Sequence, residues 1–387
     1  MIIHRNVRLL AIFNFLHDLD FLAPVAIIYF QQVTGSFALG MSVFSAVMLS
    51  SALFEVPTGI FSDMIGRKKT VVCGSLASLA ATLSIAIVRS YAGLLIGAIL
   101  FGVARAFFSG NNDALLYDSL ADNKLEHRYH SYLGMVNAFF EVGGTISALF
   151  GSIFAFWSFH FLLWITVVPK ILMVVVSLVF VEPTPHRRVN SNIFIHLGES
   201  IVQFRKNTKL QLLTIVSALR FAIGESSYTF RSAFVATLWP LWLVGVAPML
   251  SNIGAGLGSY FSGRVINRFT AKKILVFEII GNRIINFIAL LFPTFVSPIL
   301  MSFTSLAYGS SNIALSSLSQ KEFTAAQRAT MGSLGSLLNK LLFSVCAVGL
   351  GFIADFLGPV HTLLIAHGTL LIALLFYRQI FSGRTPK

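Results

Sequence analysis

The chain has 387 residues, 56% hydrophobic and only 11% charged, with a mean hydropathy of +0.81 and a formal net charge of +13. A soluble domain carries about 25% charged residues, so this composition excludes a water-facing globular surface. No phosphate-binding Gly-Lys-Ser/Thr loop and no nucleophile constellation occurs, so an enzyme or an ATP-driven machine is not expected.

Apolar runs recur from end to end at the ~20-residue length that crosses ~30 Å of hydrocarbon as a helix. They are continuous rather than alternating, which favours helices over a barrel. The expectation is an all-α polytopic membrane protein with 12 spans, at 8–32, 36–62, 69–89, 91–120, 128–157, 159–181, 209–232, 238–266, 272–292, 294–320, 328–355 and 358–380. With both termini inside, 21 of the 28 Lys and Arg fall on interior loops and tails, leaving Arg89 and Arg231 toward the outside. The basic balance is thus a topology signal and calls for no nucleic acid. Cys73 and Cys346 lie in apolar runs of opposite halves and imply no disulfide. Asp18 and Asp20 interrupt the first run and no small-residue cleavage site follows, so that run reads as a retained helix rather than a signal peptide.

Charges inside spans are costly, roughly 2.5–3.5 kcal/mol each at midplane, and mark functional candidates. In the first span, treated as one helix, Asn14 and Asp18 share a face, His17 and Asp20 share another, and the two acids diverge. After the second span comes the polar turn Gly59-Ile60-Phe61-Ser62-Asp63-Met64-Ile65-Gly66-Arg67-Lys68-Lys69. Gly59 would let its helix approach a neighbour closely, and Asp63 at the rim suits a helix N-terminus or an arginine. The fourth span carries Arg105, Ser109, Asn112 and Asp113 at helical spacing, a polar stripe. Glu141 sits in the fifth span before Gly143-Gly144, and Lys170 in the sixth. A carboxylate in a low-dielectric site favours its protonated form, as a proton carrier requires, so Glu141 is a candidate for that work or for pairing with Arg105.

Glu182, Pro183 and Pro185 stop the sixth span, and 182–208 reads as a cytoplasmic linker between bundles 1–181 and 209–387. Within it Ile193, Leu197, Ile201 and Phe204 recur at the spacing of a short amphipathic surface helix. The seventh span repeats a polar stripe, Ser217, Arg220, Gly224, Ser227, Tyr228 and Arg231, with Glu225 beside it. A near-copy of the polar turn follows at Gly263–Lys273, 204 residues after the first, with Asn267 in place of the Asp and Ala271 in place of the Arg. Arg283 and Lys340 are further charges within spans. Arg128 and Arg328 each open a span, and Gly151/Gly351, Ile153/Ile353 and Phe156/Phe356 match at an offset of 200. Two nearly equal offsets, 204 and 200, six spans apart indicate a parallel six-plus-six duplication.

The first turn resembles the Gly-x-x-x-Asp-x-x-Gly-Arg-Lys signature of the major facilitator superfamily, with Gly59, Asp63, Gly66, Arg67 and Lys68 matching. Glu55-Val56-Pro57-Thr58, Ser109-Gly110, Tyr117-Asp118-Ser119-Leu120 and Arg328-Ala329-Thr330 look like a bacterial branch of it. The resemblance implies two pseudo-symmetric six-helix bundles and a cavity lined by the first, fourth, seventh and tenth spans. It also implies a cytoplasmic gate in which Asp63 meets the start of the eleventh span beside Arg328, with Arg67 and Asp118 completing a charge cluster. Arg105 resembles the arginine linked to proton coupling in antiporters, one residue further from Gly110 than usual. The antiporter Gly-Pro is replaced here by Phe139-Phe140.

The expected function is secondary transport of a small organic solute across a bacterial inner membrane by alternating access, proton-coupled and outward. Uptake of a metabolite or metal chelate, and a non-transporting sensor or scaffold, are the alternatives. The expected partners are the solute, protons and the bilayer, with no nucleic acid, no cofactor and no bound metal. The protein is expected to be a monomer.

Overall fold

A computed structural model describes residues 5–184, 204, 207–322 and 328–382, the side chains of 328–331 excepted. Every regular element among them is helical. The first half comprises α1 (Arg5–Asp18), a 3₁₀ turn (Ala23–Val25), α2 (Ala26–Thr34), α3 (Phe37–Ile65), α4 (Arg67–Ile87), α5 (Tyr91–Phe108), α6 (Asn111–Ala121), α7 (Tyr129–Trp157) and α8 (Phe159–Val179). The second comprises α9 (Thr208–Val235), α10 (Val246–Tyr260), α11 (Ser262–Arg268), α12 (Ala271–Leu291), α13 (Ser297–Lys321), α14 (Arg328–Thr369) and α15 (Ala373–Phe381).

Nine stretches of the described residues are long and apolar enough to cross a membrane. The last, Gly332–Phe381, is bent at Gly358, whose φ of 75° no other residue type adopts without strain and which Pro359 follows. α9 and α13 are as long as spans but more polar. This arrangement fits the twelve spans expected. The exposed surface is crowded with large apolar side chains, among them Leu53, Met64, Phe277, Phe303 and Phe356, which suits hydrocarbon rather than water.

Hydroxyl and amide caps start the helices where the spans begin. Ser36, Ser90, Ser158, Asn207 and Thr270 each accept a hydrogen bond from a backbone N–H in the first turn. The chain divides into two compact units. One comprises Met1–Arg188 with Pro240–Met249, and the other Val189–Trp239 with Leu250–Lys387. The insertion of 240–249 into the first unit is pinned by Ser152, whose Oγ donates to the Trp242 carbonyl at 2.9 Å. In the first unit α1 packs on α7 and α8, and α5 lies between α3 and α4. Gly102 allows the α3–α5 contact, because a Cβ there would lie 2.5 Å from Ser50 Cβ. The close approach expected at Gly59 is not found among the described residues: nothing lies within 4 Å of a Cβ built there. In the second unit α9 packs on α14, and α12 on α13.

Two spans read as single helices are broken, which corrects the face assignments made from them. The first ends at Asp18 and resumes at Ala23. Asp20 caps the break with its own side chain, accepting from Leu22 N at 3.2 Å, and Pro24 sits inside the following turn. Asp20 therefore does not share a helix face with His17. The fourth span breaks at Ser109–Gly110, where Gly110 has φ 71°, so Arg105 and Asp113 belong to different helices and form no continuous stripe. The proposed amphipathic helix at 193–204 lies, but for Phe204, outside the described residues.

Candidate functional site

The helix break in the first unit is where its membrane-embedded charges meet. Ending α1 at Asp18 frees the His17 carbonyl, and Lys170 of α8, with no exposed surface, donates to it from Nζ at 2.7 Å. The same Nζ lies 3.9 Å from Asp20 Oδ2. An ammonium here serves both a carbonyl left over by the broken helix and a carboxylate just beyond it. Ser147 of α7 donates to the Asp20 carbonyl, tying the break to a third helix. Gly143, also on α7, packs against the Phe15 backbone, where a Cβ would come within 2.5 Å of the carbonyl oxygen.

Asp18 is half-buried within electrostatic reach of Lys170, Asp20, Glu141 and Arg105. Arg105 and Glu141 are exposed on the unit although both sit well inside spans. Asn14 is half-buried one turn before Asp18; beyond the Gly110 break, Asn112 is half-buried and Asp113 exposed. The fold thus brings Asp20, Arg105 and Glu141 within electrostatic reach of Asp18, and adds Lys170, which lies 3.9 Å from Asp20. The aromatic wall behind it is His17 stacked on Phe140 at 5.7 Å and edge-on to Phe108 at 5.3 Å.

The polar turn forms a second cluster. Gly66 (φ 96°) separates α3 from α4, and Arg67 reaches back across it. Its Nη1 donates to Ser62 Oγ at 2.7 Å and lies 3.5 Å from Asp63, and its Nε lies 3.5 Å from Asp118 of α6. Asn111 accepts from Ser62 at 2.6 Å and donates to the Arg67 carbonyl at 3.2 Å. Lys68 contributes a backbone group: the Arg67 and Lys68 amides donate to the two carboxylate oxygens of Glu182 at 2.6 and 2.9 Å. Glu182 thereby satisfies two of the free N–H groups at the start of α4 and complements its dipole. It also explains Gly66, where a Cβ would lie 2.6 Å from Glu182 Oε1. Sequence reading treated Glu182 only as a stop signal; its position just past a helix and before Pro183 hid its role, because its partners lie more than a hundred residues away. The side chain of Arg328 lies outside the described residues.

In the second unit the arginine of α9 turns inward. Arg220, 6% exposed, donates to Glu278 Oε2 and Ser311 Oγ, both at 2.8 Å, and to Tyr377 Oη at 3.1 Å. The other oxygen of Glu278 accepts from Asn282 at 2.9 Å and faces Arg283 at 3.7 Å. Glu225 is half-buried on the same helix. Glu278 escaped the sequence reading, although Glu278, Asn282 and Asn286 repeat every four residues in an apolar run, the spacing of one buried polar face. The copied turn is built differently. Arg264 and Arg268 lie over the rings of Phe261 and Phe269 at 5.4 and 5.9 Å, and Lys272 over Phe381 at 6.0 Å.

The family model described as Major Facilitator Superfamily matches residues 9–347. An uncharacterized MFS-type transporter of Methanocaldococcus jannaschii is 25% identical over 375 residues, 92% of this chain and 93% of the relative. Among solved structures, that of the nucleoside transporter NupG superposes with a TM-score of 0.83 at 17% identity, covering 98% of this chain and 100% of that one. A bacterial homolog of the human lysosomal transporter Spinster gives 0.79 at 15%, covering 99% and 98%. The Escherichia coli fucose:proton symporter FucP gives 0.62 at 15%, covering 98% of each chain. At these identities the solved structures speak to the fold.

Proposed function

Because the chain belongs to the major facilitator superfamily and is a multi-pass membrane transporter, we propose that it moves a small organic solute by alternating access, driven by proton exchange and directed outward. The observation that carries this reading is the constellation at the α1 break. Asp18 lies within electrostatic reach of Asp20, Glu141, the buried Lys170 and Arg105, and Arg105 and Glu141 are exposed inside the spans. Charge exposed at that depth is too costly against lipid and belongs beside water. A carboxylate in such company exchanges a proton when its cation is drawn away or a charged solute arrives, which links occupancy to protonation. The resemblance of Arg105 to the antiporter arginine supports the outward direction. The basic loops support a bacterial inner membrane with both termini cytoplasmic, and the protein acts as a monomer.

In this reading the Arg67 cluster is a cytoplasmic gate. Asp63, 45% exposed at its side chain, is presented to a partner, while Ser62, Asp118 and the Glu182 cap hold Arg67 and the turn in place.

The test is proton flux in proteoliposomes carrying a trapped pH dye, with solutes first identified by thermal stabilisation of the purified protein. A stabilising solute should drive proton movement in the wild type. Asp18→Asn, Asp20→Asn and Glu141→Gln should abolish or slow it. Transport indifferent to the pH gradient and to all three changes would refute proton coupling.

A further inference from the structure

Among the described residues, the buried group formed by Arg220, Arg283 and Glu278 carries more positive charge than acid. Arg220 and Arg283 are both buried and share the single carboxylate of Glu278, which lies at hydrogen-bond distance from the first and 3.7 Å from the second. The three groups together leave one buried positive charge. Beyond Arg283 the polar atoms lose their partners. Arg283 Nε, Arg231 Nε, Asn286 Oδ1 and both ring nitrogens of His367 are enclosed with no hydrogen-bond partner among the described residues. His367 is 4% exposed and Asn286 1%.

Arg231, Arg283 and His367 come from three helices, α9, α12 and α14, and lie within electrostatic reach of one another. Asn282 donates to the Thr304 carbonyl of α13 at 3.0 Å. One turn along, Asn286 donates to the Asn282 carbonyl at 2.8 Å. α12 and α13 are joined by a short loop and run antiparallel, so Asn286 lies level with Met301. The Met301 carbonyl is the group that Arg231 of α9 reaches at 3.2 Å. His367 comes from α14, and its neighbour Gly368 packs toward Phe287 of α12. The charges of Arg283 and Arg231 act on each other and on His367. Arg231 also lies over Tyr228 and weakly contacts Ser251. The residue is half-buried, with its Nε enclosed. Glu225, the next acid on α9, acts on Tyr308 at the Arg220 end of the cluster rather than on His367.

We propose that Arg231, Arg283 and His367 form a binding site for a small monovalent inorganic anion of halide size within the second unit. Several N–H donors around an excess positive charge are the complement of an anion. A water molecule alone would satisfy the hydrogen bonds but leave the charge uncompensated in a low-dielectric interior. One water beside the anion would donate to Asn286 Oδ1. The site is distinct from the constellation at the α1 break and does not depend on the solute carried or on proton coupling.

The test is the thermal midpoint of the purified full chain in detergent, titrated with chloride or bromide against gluconate at constant ionic strength. Halide should raise the midpoint saturably, and gluconate should not. In Arg231→Gln and in His367→Leu the half-saturating halide concentration should rise about tenfold or more, the loss expected of a hydrogen bond to a charged group. Neither change removes an Arg220–Glu278 contact, so both variants should fold. A bromide soak should place an anomalous peak beside Arg231 and Arg283. An equal response to halide and gluconate, or an undiminished halide response in both variants, overturns the site. A response to acetate with none to halide assigns it to carboxylates and overturns the halide proposal.

Discussion

In the second unit, Arg220 closes on Glu278, Ser311 and Tyr377 at hydrogen-bond distances and is buried, with Arg283 3.7 Å from Glu278. In the first, Lys170 is equally buried but holds Asp20 only at 3.9 Å, and spends its short bond on a backbone carbonyl. The same kinds of residue therefore meet different fates. The multiply bonded Arg220–Glu278 pair resists rearrangement, whereas a longer pair at a helix break has less to lose on changing partners. The polar turns differ in parallel. The first joins Arg67 to carboxylates, and its copy lays arginines and a lysine on aromatic rings. On the proposed function, the charges that switch are those of the first unit.

The sharpest way to break this comparison is at Glu278. Glu278→Gln strands Arg220 and Arg283 without an anion and should destabilise the protein by about 3–5 kcal/mol, read as the thermal midpoint in detergent. Removing charge from both partners, as in Arg220→Met with Glu278→Leu, should recover much of the loss. Full recovery with normal transport would make the network structural alone.

Lys170→Met should cost less, about 1–3 kcal/mol, because it strips one hydrogen bond from the His17 carbonyl while Asp20 keeps partial access to water. Its larger signature should be in flux: solute-driven proton movement should vanish while solute binding persists. An unchanged proton flux would mean that the loose pair does not switch.

At the turns, Arg67→Ala should slow transport about tenfold and Arg268→Ala by less than about twofold. Asp63→Asn should likewise impair cycling more than Asn267→Asp. Equal effects in both halves would remove the one-sided gate. Stability should fall by no more than about 1 kcal/mol, since the Arg67 ion pairs are long and partly solvated.

The smallest effect expected is pH-dependent and lies outside the spans. Glu322 accepts from Lys209 at 2.7 Å and from Asn207 at 3.2 Å, and the Lys209 bond holds its carboxyl below the usual range. A depressed folded-state value means that the contact contributes stability above the ordinary glutamate value of about 4.3, and loses it as pH falls through the lower folded value. Midpoints of the wild type and Lys209→Ala should differ at pH 7 and converge only as pH falls through the lowered folded value of Glu322.

Much of the molecule was legible because its determinants are local. Lipid satisfies no backbone groups, so continuous apolar runs had to become helices. Gly66-Arg67-Lys68 exposed the turn. The breaks at Asp18–Ala23 and Ser109–Gly110 had signals, Pro24 and Gly110, but both were read through as continuous helix. In hydrocarbon such residues are tolerated mid-helix when neighbours supply the missing bonds, so their presence does not decide between a bend and a stop.

The amino-acid sequence by itself determined the helical membrane class and the family, since these follow from hydropathy and short motifs. Tertiary structure alone decided which charges are neighbours. Lys170 reaches His17 across 153 positions, Glu182 reaches Arg67 across 115, and Arg220 reaches Glu278 across 58. The cost of burying a charge compels it to find a partner, but helix packing selects which one.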